Sequence, residues 1–401
     1  MRGTGTYSSI AMALLIAGGV LAAQQRGGGP GAQGVQIKPG EGCPPGMTEF
    51  RKGRCMAPEK TPPSIVDYRP KSTVVAEEHL VPKARFPVID IHNHTGVTAE
   101  NMPQLVKEMD ALNIRVLVNL TAGSGTQLRE AVETIRKSPH PDRFLVFANV
   151  NWTGAGGPGW KEKEVAALRQ AVKDGAIGLK ILKSLGLRDT KADGSRLKID
   201  DPELDPIWQL CAELNIPVLI HTADPERFFA PIDNTNERWL ELGLFPGRAY
   251  PPDRFASFEQ LMGERDRMFK RNSRTRFIAA HFGWHGNDLG RAARMLDTMP
   301  NVYFEVGAVL YEFGRQPRAS REFFLKYSDR VLFGKDAYEA SEFPYYWRVF
   351  ETNDEYFDYY RNYHAFWKLN GMGLPDEMLK KLYYKNALKV APGLPQTGWP
   401  K

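Results

Sequence analysis

FPVIDIHNH, residues 86–94, is the most informative segment for the fold of this chain of 401 residues. It is an apolar run that ends in two histidines, His92 and His94, and side chains two positions apart in a strand lie on the same face. Seven further apolar, β-branched runs follow: RVLVNL (115–120), RFLVFANV (143–150), AIGLKIL (176–182), PVLIH (217–221), RFIAAH (276–281), VYFEV (302–306) and RVLFG (330–334). The sequence therefore predicts eight short, buried strands.

Amphipathic segments separate these runs, and they include MPQLVKEMDAL, EKEVAALRQAV, PIWQLCAEL and LGRAARMLDTM. Strands that alternate with helices predict a parallel α/β fold, and eight is the strand number of a closed barrel. A doubly wound open sheet is the alternative, but no G-x-G-x-x-G follows the first strand. We therefore predict a (β/α)8 TIM barrel over residues 86–401, preceded by a short irregular N-terminal arm.

The N-terminus carries one apolar run, IAMALLIAGGVLAA, at residues 10–23. Its length suits the core of a signal peptide better than a bilayer span, which needs about 20 residues. We expect a cleaved signal peptide over residues 1–23 and export to the periplasm or the exterior, with an uncleaved membrane anchor as the alternative. Glycine dominates residues 24–42, which indicates a flexible linker.

Residues 43–85 form the predicted irregular arm, in which Cys43 and Cys55 flank the short segment PPGMTEFRKGR. In an oxidising compartment these two cysteines are expected to close a disulfide loop. The third cysteine, Cys211, lies in a helical pattern and is expected to be a buried, inert thiol.

The charge of the chain argues against a nucleic-acid partner. The net charge of +6 is small for this length and is spread along the chain without a long basic run, so nucleic-acid binding is not expected. We expect a small-molecule substrate and no stable membrane insertion once the signal peptide is removed. The sequence leaves a homo-oligomer open.

Four histidines and one aspartate fall at predicted strand ends: His92 and His94 on the first strand, His221 on the fifth, His281 on the sixth and Asp336 beyond the eighth. All strands of a barrel open at one mouth, where barrel enzymes place their active sites. A single histidine at a strand end is more often structural, but five such residues are hard to obtain by accident. Nitrogen and carboxylate ligands with a position left for water indicate a catalytic zinc-type site.

Several motifs resemble the amidohydrolase-related family of metal-dependent barrel hydrolases over residues 86–391. They are D-I-H-N-H at the first strand, H-T at the fifth, H-F-G at the sixth, G-K-D-A at the eighth and the closing Y-K-N-A-L-K-V helix. The resemblance implies that His92, His94, His221 and Asp336 bind a divalent metal, with zinc the first choice. It also implies that Asp336 is the general base and that His281 is a further ligand or an acid/base.

By this resemblance we expect a hydrolase in which metal-activated water attacks an ester, lactone or amide bond of a small organic substrate. The family also contains non-oxidative decarboxylases, so a decarboxylase of an aromatic or unsaturated acid on the same site is the alternative. A hydratase is a third possibility. A fourth, of a different class, is an exported solute-binding or scaffold protein with a vestigial site, and the intact set of five residues argues against it.

Four further residues complete the sequence hypothesis. Lys180, in the fourth strand, would bridge two metals when carboxylated, as in two-metal relatives, or bind a substrate carboxylate beside one metal; we favour one metal. Arg227 lies in a connection of about 35 residues, far longer than usual, and is suited to binding a carboxylate. His285 lies near the mouth and is a candidate substrate contact. Asp90, one step deeper than His92, is expected to orient an imidazole.

Overall fold

The computed structural model describes residues 34–57, 64, 67–68 and 70–400. The predicted signal peptide and most of the predicted linker lie outside these residues. The chain divides into two compact units, Met1–Arg69 and Pro70–Lys401. The second unit therefore begins before residue 86, where the sequence predicts the start of the barrel.

The first unit contains a small antiparallel sheet. Its strands are Val35–Gln36, Thr48–Arg51 and Arg54–Met56, and the last of these lies in the middle. A disulfide joins Cys43 to Cys55, so the loop before the second strand is tied to the central strand. In the chain-entropy model such a short loop contributes about 3 kcal/mol to stability. Residues 48–56 of the predicted arm thus take part in a small sheet, which also includes two residues of the predicted linker.

The second unit contains eight strands in parallel register, each paired with the next along the chain. They are β1 (Val88–Asn93), β2 (Ile114–Asn119), β3 (Phe144–Val146, continued by Ala148–Asn149), β4 (Leu179–Ile181), β5 (Val218–Ile220), β6 (Phe277–Ala279), β7 (Val302–Glu305) and β8 (Val331–Leu332). Every residue of β1 is buried, as expected for a strand covered on both sides.

Hydrogen bonds close these strands into a ring. The first half of β3 pairs with β2 and its second half with β4, so β3 joins the two parts of the sheet. At the other seam, Asn93 and Asp336 form a parallel bridge, and the backbone N–H of Ile91 donates to the carbonyl of Phe333 at 3.2 Å. The (β/α)8 TIM barrel is thereby confirmed over the open sheet.

Helices follow the strands as the amphipathic segments predict. They are α1 (Met102–Leu112), α2 (Gly125–Arg136), α3 (Trp160–Asp174), α4 (Ser184–Leu187), α5 (Asp205–Glu213), α6 (Trp239–Leu244), α7 (Phe258–Arg271), α8 (Leu289–Thr298), α9 (Leu310–Arg315), α10 (Pro317–Lys326), α11 (Phe343–Glu351), α12 (Asp376–Lys380) and α13 (Asn386–Val390). Their ends have local causes: the Ser257 side chain accepts from the N–H of Gln260 at the start of α7, and Asn113 ends α1 in the left-handed conformation.

Two insertions extend the mouth of the barrel. The first, residues 222–257 between β5 and α7, contains the short α6 and is called the lid below. The second follows β8 and includes α11, whose Tyr346 and Trp347 are fully buried. Cys211 is a buried free thiol on α5, and burial raises its pKa. Across the described residues, no helix combines the length and the apolar character needed to cross a membrane.

Candidate metal centre

The first half of the candidate site is built by the two ends of the barrel seam. His92 lies in β1 and His94 directly follows it, and their Nε2 atoms are 3.2 Å apart. Asp336, just beyond β8, places Oδ1 at 3.2 Å from Nε2 of His92 and at 3.5 Å from Nε2 of His94. The parallel bridge between the two strands holds this aspartate beside the two histidines.

The second half comes from β5 and β6. His221 directly follows β5, and its Nδ1 lies 3.2 Å from Nε2 of His281. The ring centroids of His281 and His92 are 5.0 Å apart, so the two halves form one cluster. Lys180 of β4 places Nζ at 3.1 Å from Nε2 of His92. The structure therefore brings together all six residues that the sequence placed at the centre of the site.

Glu305, the last residue of β7, is part of this cluster and was missed by the sequence analysis. Its Oε1 lies 2.9 Å from Nδ1 of His92 and also accepts the backbone N–H of His281. Its Oε2 accepts the N–H of Gly307 at 2.6 Å. One signal in the sequence could have indicated Glu305: it is the only carboxylate in the apolar run VYFEV. A charge that is fully buried in a strand needs hydrogen-bond donors around it, such as those found here.

Asp90 does not orient an imidazole, and that prediction is wrong. Its Oδ2 accepts from the Asn93 side chain at 2.8 Å, while Oδ1 accepts the backbone N–H groups of Lys335 at 3.0 Å and His92 at 3.2 Å. The pairing of β1 with β2 shifts register between Asp90 and Asn93, so strict alternation fails there. Asp90 instead joins the backbones of β1 and the segment after β8.

A left-handed turn aims His281. His281, Phe282, Gly283 and Trp284 all have φ between 56° and 60°, a conformation that costs non-glycine residues on the order of 1–3 kcal/mol each. The fully buried Arg265 of α7 donates to the carbonyl of Gly283 at 2.8 Å and supports the turn.

Hydrogen bonds also determine which nitrogen of each imidazole carries a proton and which has a free lone pair. Nδ1–H of His281 donates to the carbonyl of Gly307 at 2.8 Å, and Nδ1–H of His92 donates to Glu305. The Nε2 lone pairs of both rings therefore face the cluster, together with the carboxylate of Asp336. Several acceptors that converge in this way repel one another unless a cation lies among them, and the ammonium of Lys180 is the cation that the chain itself places beside His92.

The charge states of His94, His281 and Glu305 suit a cation, whereas His92 differs: burial and Lys180 lower its pKa, but Glu305 and Asp336 raise it above the usual value, so a metal would displace a proton there. Burial and the neighbouring histidines lower the pKa of His94 and of His281 to about 3, so both rings are neutral at pH 7. Burial alone would raise the pKa of Glu305, but the contacts with His92 and His281 lower it to about 2. Burial lowers the pKa of Lys180 to about 8. Neutral imidazoles and ionised carboxylates are the forms that bind metal ions.

Two groups of side chains have ligand atoms within 4.8 Å of one another: His92 with His94 and Asp336, and His92 with His281 and Glu305. In the second group the contact to Glu305 uses Nδ1 of His92, the nitrogen turned away from His94. The first group has the nitrogen and oxygen donors of a catalytic zinc site. The residues present therefore fit a divalent metal ion.

The two candidate substrate contacts lie outside the cluster. Arg227 is an exposed lid residue that lines a small depression with Trp284 and Tyr311. His285 is buried, and its Nε2 lies 3.0 Å from a guanidinium nitrogen of Arg265. The structure thus gives His285 a contact behind the turn rather than a place at the cluster.

A cavity of about 440 Å³ adjoins the cluster at Lys180. Asn149, Trp152, Arg188 and Lys191 are among the residues that line it, so it offers a small molecule both polar donors and an aromatic wall. A larger groove of about 770 Å³ lies between the segments 74–85 and 351–356 and contains no residue of the cluster.

This chain is similar to one protein family and to several solved structures. A family model described as amidohydrolase matches residues 82–391. Among curated proteins, no sequence matches the chain. Solved structures that resemble it include a 2,6-dihydroxybenzoate decarboxylase complexed with 2,6-dihydroxybenzoate, at 17% identity and a TM-score of 0.45, covering 77% of this chain and 99% of that one. Another is 4-oxalomesaconate hydratase from Rhodopseudomonas palustris, at 15% identity and a TM-score of 0.46, covering 77% and 96%.

Proposed function

This chain belongs to the amidohydrolase family, and from that premise we propose that it is a metal-dependent hydrolase of an ester, lactone or amide bond in a small organic molecule. The observation that carries the proposal is the convergence of four imidazoles and the Asp336 carboxylate at the mouth of the barrel. The cavity that meets the cluster at Lys180 is the place we assign to the substrate.

We assign the binding of one divalent ion, with zinc the first choice, to His92, His94, His221 and Asp336. When bound, such an ion polarises a carbonyl and lowers the pKa of water towards about 7. The side chain of Asp336 is 27% exposed, so its carboxylate is open to the mouth and able to accept a proton from the attacking water. His281 presents Nε2 on the same side and is suited to move a proton to the leaving oxygen or nitrogen.

The second candidate function is a non-oxidative decarboxylase of an aromatic or unsaturated acid on the same site. Lys180 favours it, because a buried ammonium at the edge of the cavity suits a substrate carboxylate. In that reaction the carbon–carbon bond to the carboxylate breaks, carbon dioxide leaves, and a proton from the protein is added to the carbon.

An isotope experiment separates the candidates. Purified protein is screened in oxygen-18 water against small lactones, esters and amides and against aromatic carboxylic acids, with Asp336→Asn as the inactive control. We expect the cleaved product to carry one labelled oxygen and no carbon dioxide to form. Release of carbon dioxide, with no label incorporated into the organic product, would refute hydrolysis and support the decarboxylase. Addition of labelled water without cleavage would support a hydratase.

We also propose that the protein is exported. The N-terminal apolar run lies outside the described residues, and the support comes from the disulfide between Cys43 and Cys55, because disulfides persist mainly in oxidising compartments. Intact-mass analysis of protein from its native cell tests this. We expect a mature chain that begins near Gln24 with this bond closed, and an unprocessed N-terminus with both thiols free would contradict it.

A further inference from the structure

Asp224, three residues after His221, is a buried carboxylate to which the proposed chemistry assigns no role. Between them, Ala223 has φ of 62°, a left-handed conformation that turns the chain back towards the imidazole. Oδ1 of Asp224 lies 3.4 Å from Nε2 of His221. The other ring nitrogen, Nδ1, faces His281 in the cluster. The two nitrogens of His221 are thus divided between the cluster and Asp224.

Asp224 is the hydrogen-bond partner available to Nε2 of His221. The atom is buried, and within the part of the chain that the structure describes it makes no hydrogen bond of ordinary geometry. The carboxylate of Asp224 is therefore the acceptor available to an N–H at this position. A proton on Nε2 leaves the Nδ1 lone pair free to face the cluster, which is the tautomer that a metal ligand needs.

Asp224 is itself held from two directions. Its Oδ2 accepts from Nζ of Lys183 at 2.7 Å and from the hydroxyl of Tyr250 at 2.5 Å. Lys183 directly precedes α4, whereas Tyr250 belongs to the lid and stacks on Phe229 with ring centroids 4.7 Å apart. Both donors bind the same oxygen, so Oδ1 is left to His221.

We propose that Asp224 is the positioning residue for His221, and that Lys183 and Tyr250 fix this carboxylate. The inference rests on the proposed metal centre. A carboxylate that accepts from the second nitrogen of a ligating histidine fixes the ring and increases its basicity, and losing it typically costs 10–100-fold in metal affinity. Because Tyr250 lies in the lid, the lid supplies one of the two donors that fix this carboxylate.

The test measures metal binding and is independent of any substrate. Metal-free wild type and Asp224→Asn are titrated with Co²⁺ against a chelator, and the visible absorption of bound Co²⁺ reports the coordination. We expect Asp224→Asn to bind about 10–100-fold more weakly, the range for such partners, and to shift the Co²⁺ bands. Tyr250→Phe and Lys183→Met are each expected to weaken binding less, since one donor to Asp224 remains.

Asp354→Asn is the matched control. Asp354 is also a buried aspartate with two side-chain partners, His79 and Arg348, neither of which belongs to the cluster. We expect this variant to lose thermal stability while keeping wild-type Co²⁺ affinity and spectrum. A purely structural role for Asp224 would make the two variants behave alike.

Wild-type affinity and an unchanged Co²⁺ spectrum in Asp224→Asn would overturn the inference, whatever happens to its melting temperature. If Asp224→Asn does not fold, Tyr250→Phe and Lys183→Met decide, and wild-type affinity in both would overturn it equally. A wild-type protein that binds no Co²⁺ would instead overturn the metal centre itself. Failure of the proposed function and failure of this inference are therefore distinguishable.

Discussion

Oε1 of Glu305 lies 2.9 Å from Nδ1 of His92, so a carboxylate on β7 fixes an imidazole on β1. Both side chains are fully buried. Because Nδ1 is engaged there, Nε2 of His92 turns towards His94 and Asp336. The interior of the barrel thus sets the orientation of one candidate ligand through a contact between strands that are distant in sequence.

The first prediction concerns Glu305→Gln. The amide keeps the size of the side chain but loses the charge and cannot accept at both positions, so His92 and the N–H groups of His281 and Gly307 lose a shared acceptor. We expect metal affinity to fall about 10–100-fold, as for other carboxylates that support a ligating histidine. Chelator competition measures it.

Glu312→Gln is the control for this change, because Glu312 is another buried acid and pairs with Arg315 outside the cluster. It should retain the wild-type affinity. Equal metal affinity in Glu305→Gln and the wild type would show that Glu305 is a structural charge only.

The second prediction concerns the ligands themselves. Purified wild type should contain about one equivalent of zinc or another divalent ion per chain, the number of the one-metal assignment. His92→Ala and Asp336→Ala should fold and lose most of it, because each removes a donor from the group that lies within 4.8 Å. Elemental analysis against protein concentration measures this.

His285→Gln serves as the comparison, since this histidine contacts Arg265 rather than the cluster. Its metal content should match that of the wild type. Undiminished metal in both His92→Ala and Asp336→Ala would refute the assignment of these residues.

The strand-end histidines were readable from the sequence because each ends an apolar run, and the barrel then determines that the ends meet. The sequence could not identify Glu305 as their partner. Glu305 contacts His92, which is 213 positions away, and only the closed barrel shows which strands bring these side chains together. The left-handed turn at residues 281–284 could not be predicted from the sequence either. Of its four residues only Gly283 favours a positive φ, and the turn is supported by a buried arginine from α7 that donates to the carbonyl of Gly283.

The third prediction concerns pH and His364. This histidine is buried among aromatic rings, with Nε2 at 3.7 Å from Glu241. Burial and then Arg238 lower its pKa to about 2. The unfolded chain, with a pKa near 6.5, therefore binds the proton more readily, and stability is lost as the pH falls below about 6.5. From pH 7 to pH 5 this one group is expected to cost about 2 kcal/mol.

Urea unfolding of metal-free protein at pH 5 and pH 7 measures this loss. His364→Gln cannot take up the proton, so its loss between the two pH values should be smaller than that of the wild type by about the same 2 kcal/mol. Identical pH dependence in the two proteins would contradict the burial of a neutral ring at this position.

The fourth prediction concerns His281→Ala. The variant removes a ring that lies 3.2 Å from His221 and whose Nε2 faces the cluster. We expect the rate constant of the chemical step to fall at least about a hundredfold, the lower range for loss of a positioned acid or base. Steady-state kinetics on the substrate found in the screen measures this rate constant. His140→Ala is the control, because His140 lies on the partly exposed turn after α2. A loss below about tenfold would argue that His281 does not act on the substrate.

The fifth prediction concerns Lys180, which lies 3.1 Å from His92 and is almost fully buried. If the amine binds substrate beside a single ion, Lys180→Met should keep about one equivalent of metal and lose substrate affinity. Lys191→Met is the control in the same cavity. It should change both quantities little, because Lys191 is already paired with Asp201. Metal content and KM measure the two effects separately. Two equivalents of metal in the wild type, both lost in Lys180→Met, would instead mean that a carboxylated Lys180 bridges two ions.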